Sequence, residues 1–101
     1  MYTVNGKQRR HLRALAHPLK AVVQLGGRGL VESVLEQIEV QLHHHELIKI
    51  KLSEECPDDV SAVGDSVRDA LRGEIVQSIG RTLVIYRPRK KDPTIQLPAA
   101  G

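Results

Sequence analysis

The sequence predicts a single α/β domain in which three helices pack against one four-stranded mixed sheet. Segments with helical apolar spacing alternate along the chain with apolar segments of five or six residues. The last two short segments are separated only by Gly80-Arg81, which is typical of a hairpin. A chain of 101 residues that is 41% hydrophobic can bury one modest core. We therefore expect the order α-β-α-β-α-β-β within residues 1–88, followed by a tail over residues 89–101.

The first helix is predicted from a cap at Thr3 or Asn5 to about Ala16. His17-Pro18 ends it, because the residue before a proline disfavours helical geometry. Its apolar residues share one sector of the helical wheel: Leu12, Leu15 and Ala16. Its bases occupy the adjoining sector: Lys7, Arg9, Arg10 and Arg13. The helix is therefore half apolar and half cationic.

The first strand is predicted over residues 21–25, a run that is too short for a helix. It shows little alternation, so we expect both of its faces to be buried. The second helix is predicted over residues 30–43, where apolar residues recur at helical spacing. Residues 47–52 alternate cleanly and predict a strand whose wetter face carries Lys49 and Lys51.

The third helix follows a break at residues 56–59, whose two aspartates suit the positive end of a helix dipole. Its apolar stripe consists of Val60, Val63, Val67 and Leu71. Gly73 is suited to end this helix. Two strands follow, over residues 75–79 and 82–86. After Pro88 the chain is basic and then small or weakly apolar, so we predict a mobile tail over residues 89–101.

A glycine loop joins the first strand to the second helix and reads Gly26-Gly27-Arg28-Gly29. The first turn of a helix has unpaired N–H groups and a partial positive charge, so such a junction can hold a phosphate. Glycines permit a tight turn and a close approach, and Arg28 adds a cation. We expect Gly27 and Arg28 at the tip, with amides there and at Leu30 facing the phosphate.

Two nucleotide-binding motifs do not fit this loop. A dinucleotide fingerprint needs G-x-G-x-x-G, and Glu46, twenty residues after Gly26, precedes its strand instead of ending it. A nucleotide P-loop needs G-x-x-x-x-G-K-[ST], which the sequence lacks. A plain turn is the remaining alternative. The cationic setting of the loop favours contact with a nucleic acid.

Charge is distributed along the chain in three blocks. Residues 1–31 carry +6 with no acidic residue, residues 32–74 carry −7, and residues 75–101 carry +4. If folding brings the two ends together, the resulting basic face attracts a polyanion more strongly than the net charge of +3 suggests. The alternative is that these bases are ordinary solvated surface.

Other function classes find little support in the residues. Tyr2 and Tyr86 are the only aromatic side chains among Phe, Trp and Tyr, too few for a base-stacking platform, and Tyr86 is expected in the core. Residues 43–45 are three histidines that point about 100° apart on a helix and do not converge on a metal. Cys56 lacks a base partner, so no catalytic site is predicted. One cysteine, with no signal peptide and no membrane-length apolar run, indicates a cytoplasmic protein.

Four segments of the sequence resemble a known family in their order and spacing. They are Leu-Ala-His-Pro-Leu-Lys at 15–20, Gly-Gly-Arg-Gly-Leu at 26–30, His-Glu-Leu-Ile-Lys-Ile-Lys at 45–51, and Gln-Ser-Ile-Gly-Arg-Thr-Leu-Val-Ile-Tyr-Arg-Pro at 77–88. Together they resemble the CRM domain (chloroplast RNA splicing and ribosome maturation), most closely its bacterial single-domain YhbY-like members, over residues 3–88. One departure is Ala21, where the family usually has proline; this should loosen the start of the strand but leave the loop intact.

The resemblance implies a fold similar to the C-terminal domain of bacterial translation initiation factor three. It also implies an RNA-binding protein, not an enzyme, that associates with precursors of the large ribosomal subunit. The family's GxxG loop maps onto residues 26–29. The predicted RNA-binding residues are Gly26, Gly27, Arg28, Gly29, Lys7, Arg9, Arg10, Arg13, Lys20, Arg81 and Arg87. No cofactor, metal ion, membrane or small-molecule substrate is expected.

The alternative function is a protein-interaction module. Three acids of the second helix lie off its apolar stripe: Glu32, Glu36 and Glu39. This acidic face could dock a basic ribosomal protein while RNA contact is incidental.

Overall fold

A computed structural model describes residues 4–99 and contains three helices and four strands in the predicted order. The elements are α1 (Gly6–Ala16), β1 (Ala21–Leu25), α2 (Glu32–His45), β2 (Leu47–Leu52), α3 (Val60–Leu71), β3 (Glu74–Ile79) and β4 (Thr82–Tyr86). Asn5 caps α1 in a capping box with Gln8, because each side chain accepts the other's backbone N–H. Thr3, the other predicted cap, and Tyr2 lie outside the described residues.

The strands form one mixed sheet in the order β1-β2-β4-β3, which confirms the predicted fold class. β1 pairs with β2 in parallel, and the other two pairs are antiparallel. The register brings the C-terminal ends of β1 and β2 together with the β3–β4 turn, and we name this the loop end of the sheet. The starts of β2 and β3 and the end of β4 form the opposite end, the tail end.

Two hydrophobic clusters lie on the two faces of the sheet. The larger one joins α2 and α3 to one face, with its most buried members including Leu25, Ile38, Leu42, Ile50, Val67 and Ile85. The smaller one joins α1 to the other face and includes Val4, Leu12, Ala16, Leu47, Val76, Val84 and Tyr86. Tyr86 is 2% exposed, as expected for a core residue. Because α1 spans only the tail-end half of its face, the loop-end half carries exposed polar residues.

β1 is an edge strand, and the expectation that both of its faces are buried is wrong. Val23 and Leu25 are buried against α2, whereas Val22 is 44% exposed. The pairing of β1 with β2 shifts register between Ala21 and Val23, and β3, the other edge strand, has a similar shift after Ile75. An apolar run of this length is compatible with either burial pattern, so its position at the edge could not be inferred.

The boundaries of α2 and α3 differ from the predicted ones for local reasons. α2 begins at Glu32 because Gly29 takes a φ of 71° and Val31 is extended. α3 ends with Arg72 in the left-handed region, at a φ of 60°. Gly73, the predicted helix end, has a different role: a Cβ there would lie 2.8 Å from Ile85 Cγ2. Gly73 thus allows the chain to pass close to β4.

The segment after β4, for which the sequence predicts a mobile tail, contacts the domain between residues 89 and 98. Ile95 and Leu97 pack against the cluster under α1. Gln8 Nε2 donates a 3.1 Å hydrogen bond to the Pro98 carbonyl. Among residues 4–99, no helix combines the length and hydropathy needed to cross a membrane.

Candidate nucleic-acid interface

The glycine loop is a four-residue turn at the loop end of the sheet. The Gly29 amide donates to the Gly26 carbonyl over 3.0 Å. A Cβ on Gly29 would lie 2.3 Å from Asp58 Oδ2, and its φ of 71° strains any larger residue there. Gly27 and Arg28 are exposed between them, and within residues 4–99 their amides donate to no acceptor. These two N–H groups are accessible to a ligand phosphate.

Leu30 does not offer the open amide that we predicted. Its N–H donates to Asp58 Oδ2 over 2.8 Å, so a carboxylate of the protein occupies the place expected for a phosphate. The reason is tertiary: the segment that connects β2 to α3 lies against the loop. Asp58, the partner of the Leu30 amide, is 28 residues away in sequence, so a local sequence pattern does not reveal this contact.

Acidic residues border one side of the loop. The Cβ of Glu55 is 3.8 Å from the position of a Cβ on Gly27, and Glu32 is the first residue of α2. Arg28 is exposed and makes no ion pair with any residue in the described range. A polyanion is therefore expected to approach from the opposite side of the loop. On that side β1 and β2 extend beyond the part of the sheet that α1 covers.

The bases of α1 divide into one structural residue and several unpaired ones. Arg9 donates to the carbonyls of Ile75 and Val76 over 2.6 and 3.1 Å, and to Glu74 Oε1 over 3.1 Å. Arg9 thus fixes α1 to β3. The other predicted bases of α1, and Lys20 after its end, are exposed and have no side-chain hydrogen bond or ion pair within residues 4–99: Lys7, Arg10, Arg13 and Lys20.

Two lysines of β2 lie between α1 and the loop, and they are absent from the predicted set. Lys49 Nζ donates to the His17 carbonyl at the end of α1 over 3.2 Å. Lys51 is exposed and pairs in register with Gln24, two residues before the loop. The alternation of residues 47–52 indicated that both lysines face away from the larger core. The sequence did not indicate that α1 packs on the same face of the sheet as these two lysines.

Arg81 lies at the loop end but is bound to backbone oxygens. Its guanidinium donates to the carbonyls of Leu52 and Ser53 over 3.2 and 2.6 Å, and its Nη2 lies 3.5 Å from the Cys56 carbonyl. It therefore holds the β2–α3 connection whose Glu55 borders the loop. Arg81 positions the surroundings of the loop through these contacts.

Arg87 is not brought to the loop. It follows β4 at the tail end, where its Nη1 donates to Glu39 Oε2 and, over 3.0 Å, to the Leu71 carbonyl. The distance between the two ends is the length of β2, roughly 16 Å for a six-residue strand. The predicted basic face therefore does not unite Arg87 with the glycine loop, because β4 separates Arg87 from Arg81.

The three histidines at the end of α2 and Cys56 are the side chains that the sequence offers as candidates for metal binding and catalysis. The rings of His43 and His44 are 5.9 Å apart, and those of His44 and His45 are 6.3 Å apart. No group of three metal-ligating side chains converges anywhere between residues 4 and 99. Cys56 is buried and has no disulfide partner, with its Sγ 3.9 Å from the Asp58 carbonyl.

Glu46 is a buried carboxylate that the sequence did not identify as important. It is 0% exposed and accepts backbone N–H bonds from Arg89, Thr94 and Ile95 at 2.7, 2.7 and 2.9 Å. Burial raises the pKa of Glu46, but those three amides and the charge of Arg89 together outweigh it and hold the pKa below 4.5. Glu46 is therefore ionised at neutral pH and fixes the segment after β4.

Comparison with known proteins gives a consistent result. The family model described as CRS1 / YhbY (CRM) domain matches residues 4–87. An "RNA-binding protein" of Haemophilus influenzae is 43% identical over 98 residues, covering 97% of this chain and 98% of that protein. The "Probable RNA-binding protein YqeI" of Bacillus subtilis is 36% identical over 95 residues, covering 94% and 99%.

A solved structure has the same fold. The solution structure of the hypothetical protein SAV1595 from Staphylococcus aureus superposes with a TM-score of 0.79 at 38% identity, covering 95% of this chain and all of that one. The family match spans every helix and strand described above, from the cap of α1 to the end of β4. With the family model, the relatives and the fold in agreement, the chain belongs to the CRS1/YhbY (CRM) domain family.

Proposed function

We propose that this protein binds RNA by its sugar-phosphate backbone along a surface that runs from α1 across β2 to the glycine loop. We name this surface the α1–loop face; its contacting residues are Lys7, Arg10, Arg13, Lys20, Lys49, Lys51, Gly27 and Arg28. The observation that carries the proposal is the pair of exposed, unpaired amides at Gly27 and Arg28, continued by cations of which all but Lys49 lack a side-chain partner in the described range. The names of the relatives support the same ligand.

The chemistry of these residues suits phosphate contact more than base recognition. The amides of the turn and the guanidinium of Arg28 can bond the oxygens of one phosphate, while the lysines act as point charges along the strand. The one described tyrosine, Tyr86, is buried and offers no stacking surface. Binding is therefore expected to depend on RNA shape and charge, with little preference for sequence.

Arg9, Arg81 and Gly29 support this surface and do not bind RNA in our proposal. Arg9 fixes α1, Arg81 fixes the segment beside the loop, and Gly29 permits the turn. For the cellular role we propose assembly of the large ribosomal subunit in the cytoplasm, as a binding protein and not an enzyme. This part rests on the resemblance to the family.

The decisive experiment measures affinity for a mixed-sequence single-stranded RNA as a function of salt concentration. Arg28→Gln, Arg13→Gln and Lys51→Gln are each expected to reduce the slope of log K against log salt by roughly 0.7, which corresponds to about a fivefold loss near 0.1 M salt. Arg68→Gln is the matched control, since Arg68 is paired with Asp65 on α3. A salt-independent affinity, or an equal loss in the control, would contradict the proposal.

The alternative function predicts a different outcome in cell extracts. If the acidic face of α2 docks ribosomal proteins, partners captured by the protein should survive nuclease treatment and should be lost in a variant of Glu32 and Glu36. If RNA is the ligand, digestion should release the partners and this variant should retain them.

A further inference from the structure

A second basic surface lies at the tail end, on the side of the sheet that carries α2 and α3. It is a cleft of about 670 Å³ between the ends of these helices and the segment after β4. Its charged and polar lining consists of Arg72, Arg87, Lys90, Lys91, His43 and Glu39. Four of these residues are cations and one is an acid, so the cleft has a positive formal charge.

Helix dipoles explain some of these cations but not all. The C-terminal carbonyls of a helix attract positive charge, and two arginines satisfy them. Arg87 donates to the Leu71 carbonyl of α3, and Arg89 donates to the His43 and His44 carbonyls of α2 at 3.2 and 3.1 Å. Three more cations remain, exposed and without side-chain partners in the described range: Arg72, Lys90 and Lys91.

The backbone that carries Lys90 and Lys91 is held in place by Glu46 and Arg89. Glu46 bonds the amides of Arg89 and Thr94, on either side of the two lysines, so the lysine pair lies in a short closed loop. Arg89 closes the same loop from within by donating to the Asp92 carbonyl and the Thr94 hydroxyl. The lysines are thus presented to the cleft by a built turn, and their ordering cost on binding is reduced.

Backbone strain is concentrated at the same end. Among residues 4–99 only three non-glycine residues have a positive φ: Glu46 at 63°, Arg72 at 60° and Asp92 at 54°. Glu46 and Arg72 precede the adjacent tail-end starts of β2 and β3, and Asp92 lies in the segment that Glu46 holds. Such residues each cost about 1–3 kcal/mol and cluster at binding sites.

We propose that the tail-end cleft is a second site for the phosphodiester backbone of RNA. This inference rests on the proposed function and extends it. The cleft and the α1–loop face lie on opposite sides of the sheet, and the glycine loop is at the end away from the cleft, so one short strand cannot occupy both. The protein therefore contacts two separate RNA segments, and the cleft binds the second through Arg72, Lys90 and Lys91.

The test is an NMR titration of the full chain with a mixed-sequence RNA hexanucleotide near 0.1 M salt. Backbone amides are expected to shift in two separated groups, one at residues 27–30 and one at residues 72–73 with 90–91. The double variant Lys90→Gln with Lys91→Gln should lower the RNA affinity measured from the second group of shifts by roughly fivefold for each lost contact. The affinity measured from the first group should stay unchanged. Lys91→Gln and Arg68→Gln form a matched pair, since each removes one positive charge and only the first lies in the cleft.

Each result separates the two proposals. Shifts at residues 27–30 alone would overturn the second site and leave the α1–loop face standing. Shifts in the cleft alone would overturn the α1–loop face and support the second site. No shift in either group would contradict both. A hexaglutamate peptide that binds the cleft more tightly than the RNA would assign it to an acidic protein segment and overturn the inference.

Discussion

The two outer glycines of the loop, Gly26 and Gly29, differ in how strongly their surroundings require a glycine. Gly29 has a φ of 71° and no room for a Cβ beside Asp58, whereas a Cβ on Gly26 would meet no heavy atom within 4 Å. The motif alone predicted a tight turn but gave no means of ranking its glycines. The ranking follows from the position of Asp58, which the chain brings back to the loop only after β2 is complete.

Replacement of these glycines should therefore have unequal effects on stability. Gly29→Ala is expected to lower the free energy of unfolding by about 1–3 kcal/mol, because it combines a strained φ with a clash at Asp58. Gly26→Ala is the matched control and should change it by less than about 1 kcal/mol. Urea denaturation measures both, and equal destabilisation would show that the turn differs from the one described.

Glu46 makes stability depend on pH in the acid range. Its pKa in the folded protein is lower than the usual 4.5, so the unfolded chain binds the proton more tightly. The stability that Glu46 contributes is complete above pH 4.5 and is lost as the pH falls through its lower folded pKa. Glu46→Gln should remove this dependence and cost about 1–3 kcal/mol at neutral pH, since the amide nitrogen cannot accept the N–H bonds. Unfolding midpoints of both proteins between pH 3 and 7 test this, and parallel curves would contradict it.

At the level of elements, the sequence pattern predicted the helices and strands well, because each helix has an apolar stripe and each strand is an apolar segment of five or six residues. The prediction failed where the position of a segment depends on contacts with residues distant in sequence. Glu46 binds amides 43, 48 and 49 residues away, so the tail could not be placed from local pattern. Likewise, the close approach of Ile85 leaves no room for a Cβ on Gly73, and the left-handed residue at the end of α3 is Arg72, one position earlier.

Substitution of Arg72 by glycine should therefore increase the stability of the fold and weaken RNA binding at the cleft. Arg72→Gly removes a left-handed penalty of about 1–2 kcal/mol but adds unfolded-chain entropy, so a net gain of about 0.5–1 kcal/mol is expected. The same change should weaken the hexanucleotide at the cleft. Arg68→Gly, within α3, is the comparison and should lose about 1 kcal/mol. A loss of stability in Arg72→Gly would argue against the strained conformation. Thermal unfolding and the NMR titration give the two readouts.

At the scale of the whole molecule, the sequence predicted an uneven distribution of charge. It also led us to expect the cations of both ends of the chain on one basic face. The register of β4 with β2 divides them between two ends, with Arg81 at one and Arg87 at the other. The longest dimension of the molecule is 41 Å, so two bound RNA segments would lie within a few nanometres of each other.

This geometry predicts that the protein brings two RNA molecules together. Two short RNA hairpins carrying donor and acceptor dyes should show energy transfer when the protein is added at half their total concentration. The double change of Lys90 and Lys91 to glutamine should abolish the transfer while retaining binding of one hairpin, and Arg68→Gln should preserve it. Transfer that persists in the double variant would contradict bridging through the cleft.

The register shifts in β1 and β3 have a consequence for copies of the protein crowded on a common RNA. Both strands that border the sheet are interrupted, one near Val22 and the other near Val76. A neighbouring chain therefore finds no uninterrupted row of amides and carbonyls along which to add a further strand. A high local concentration of the protein therefore need not lead to aggregation through the sheet borders.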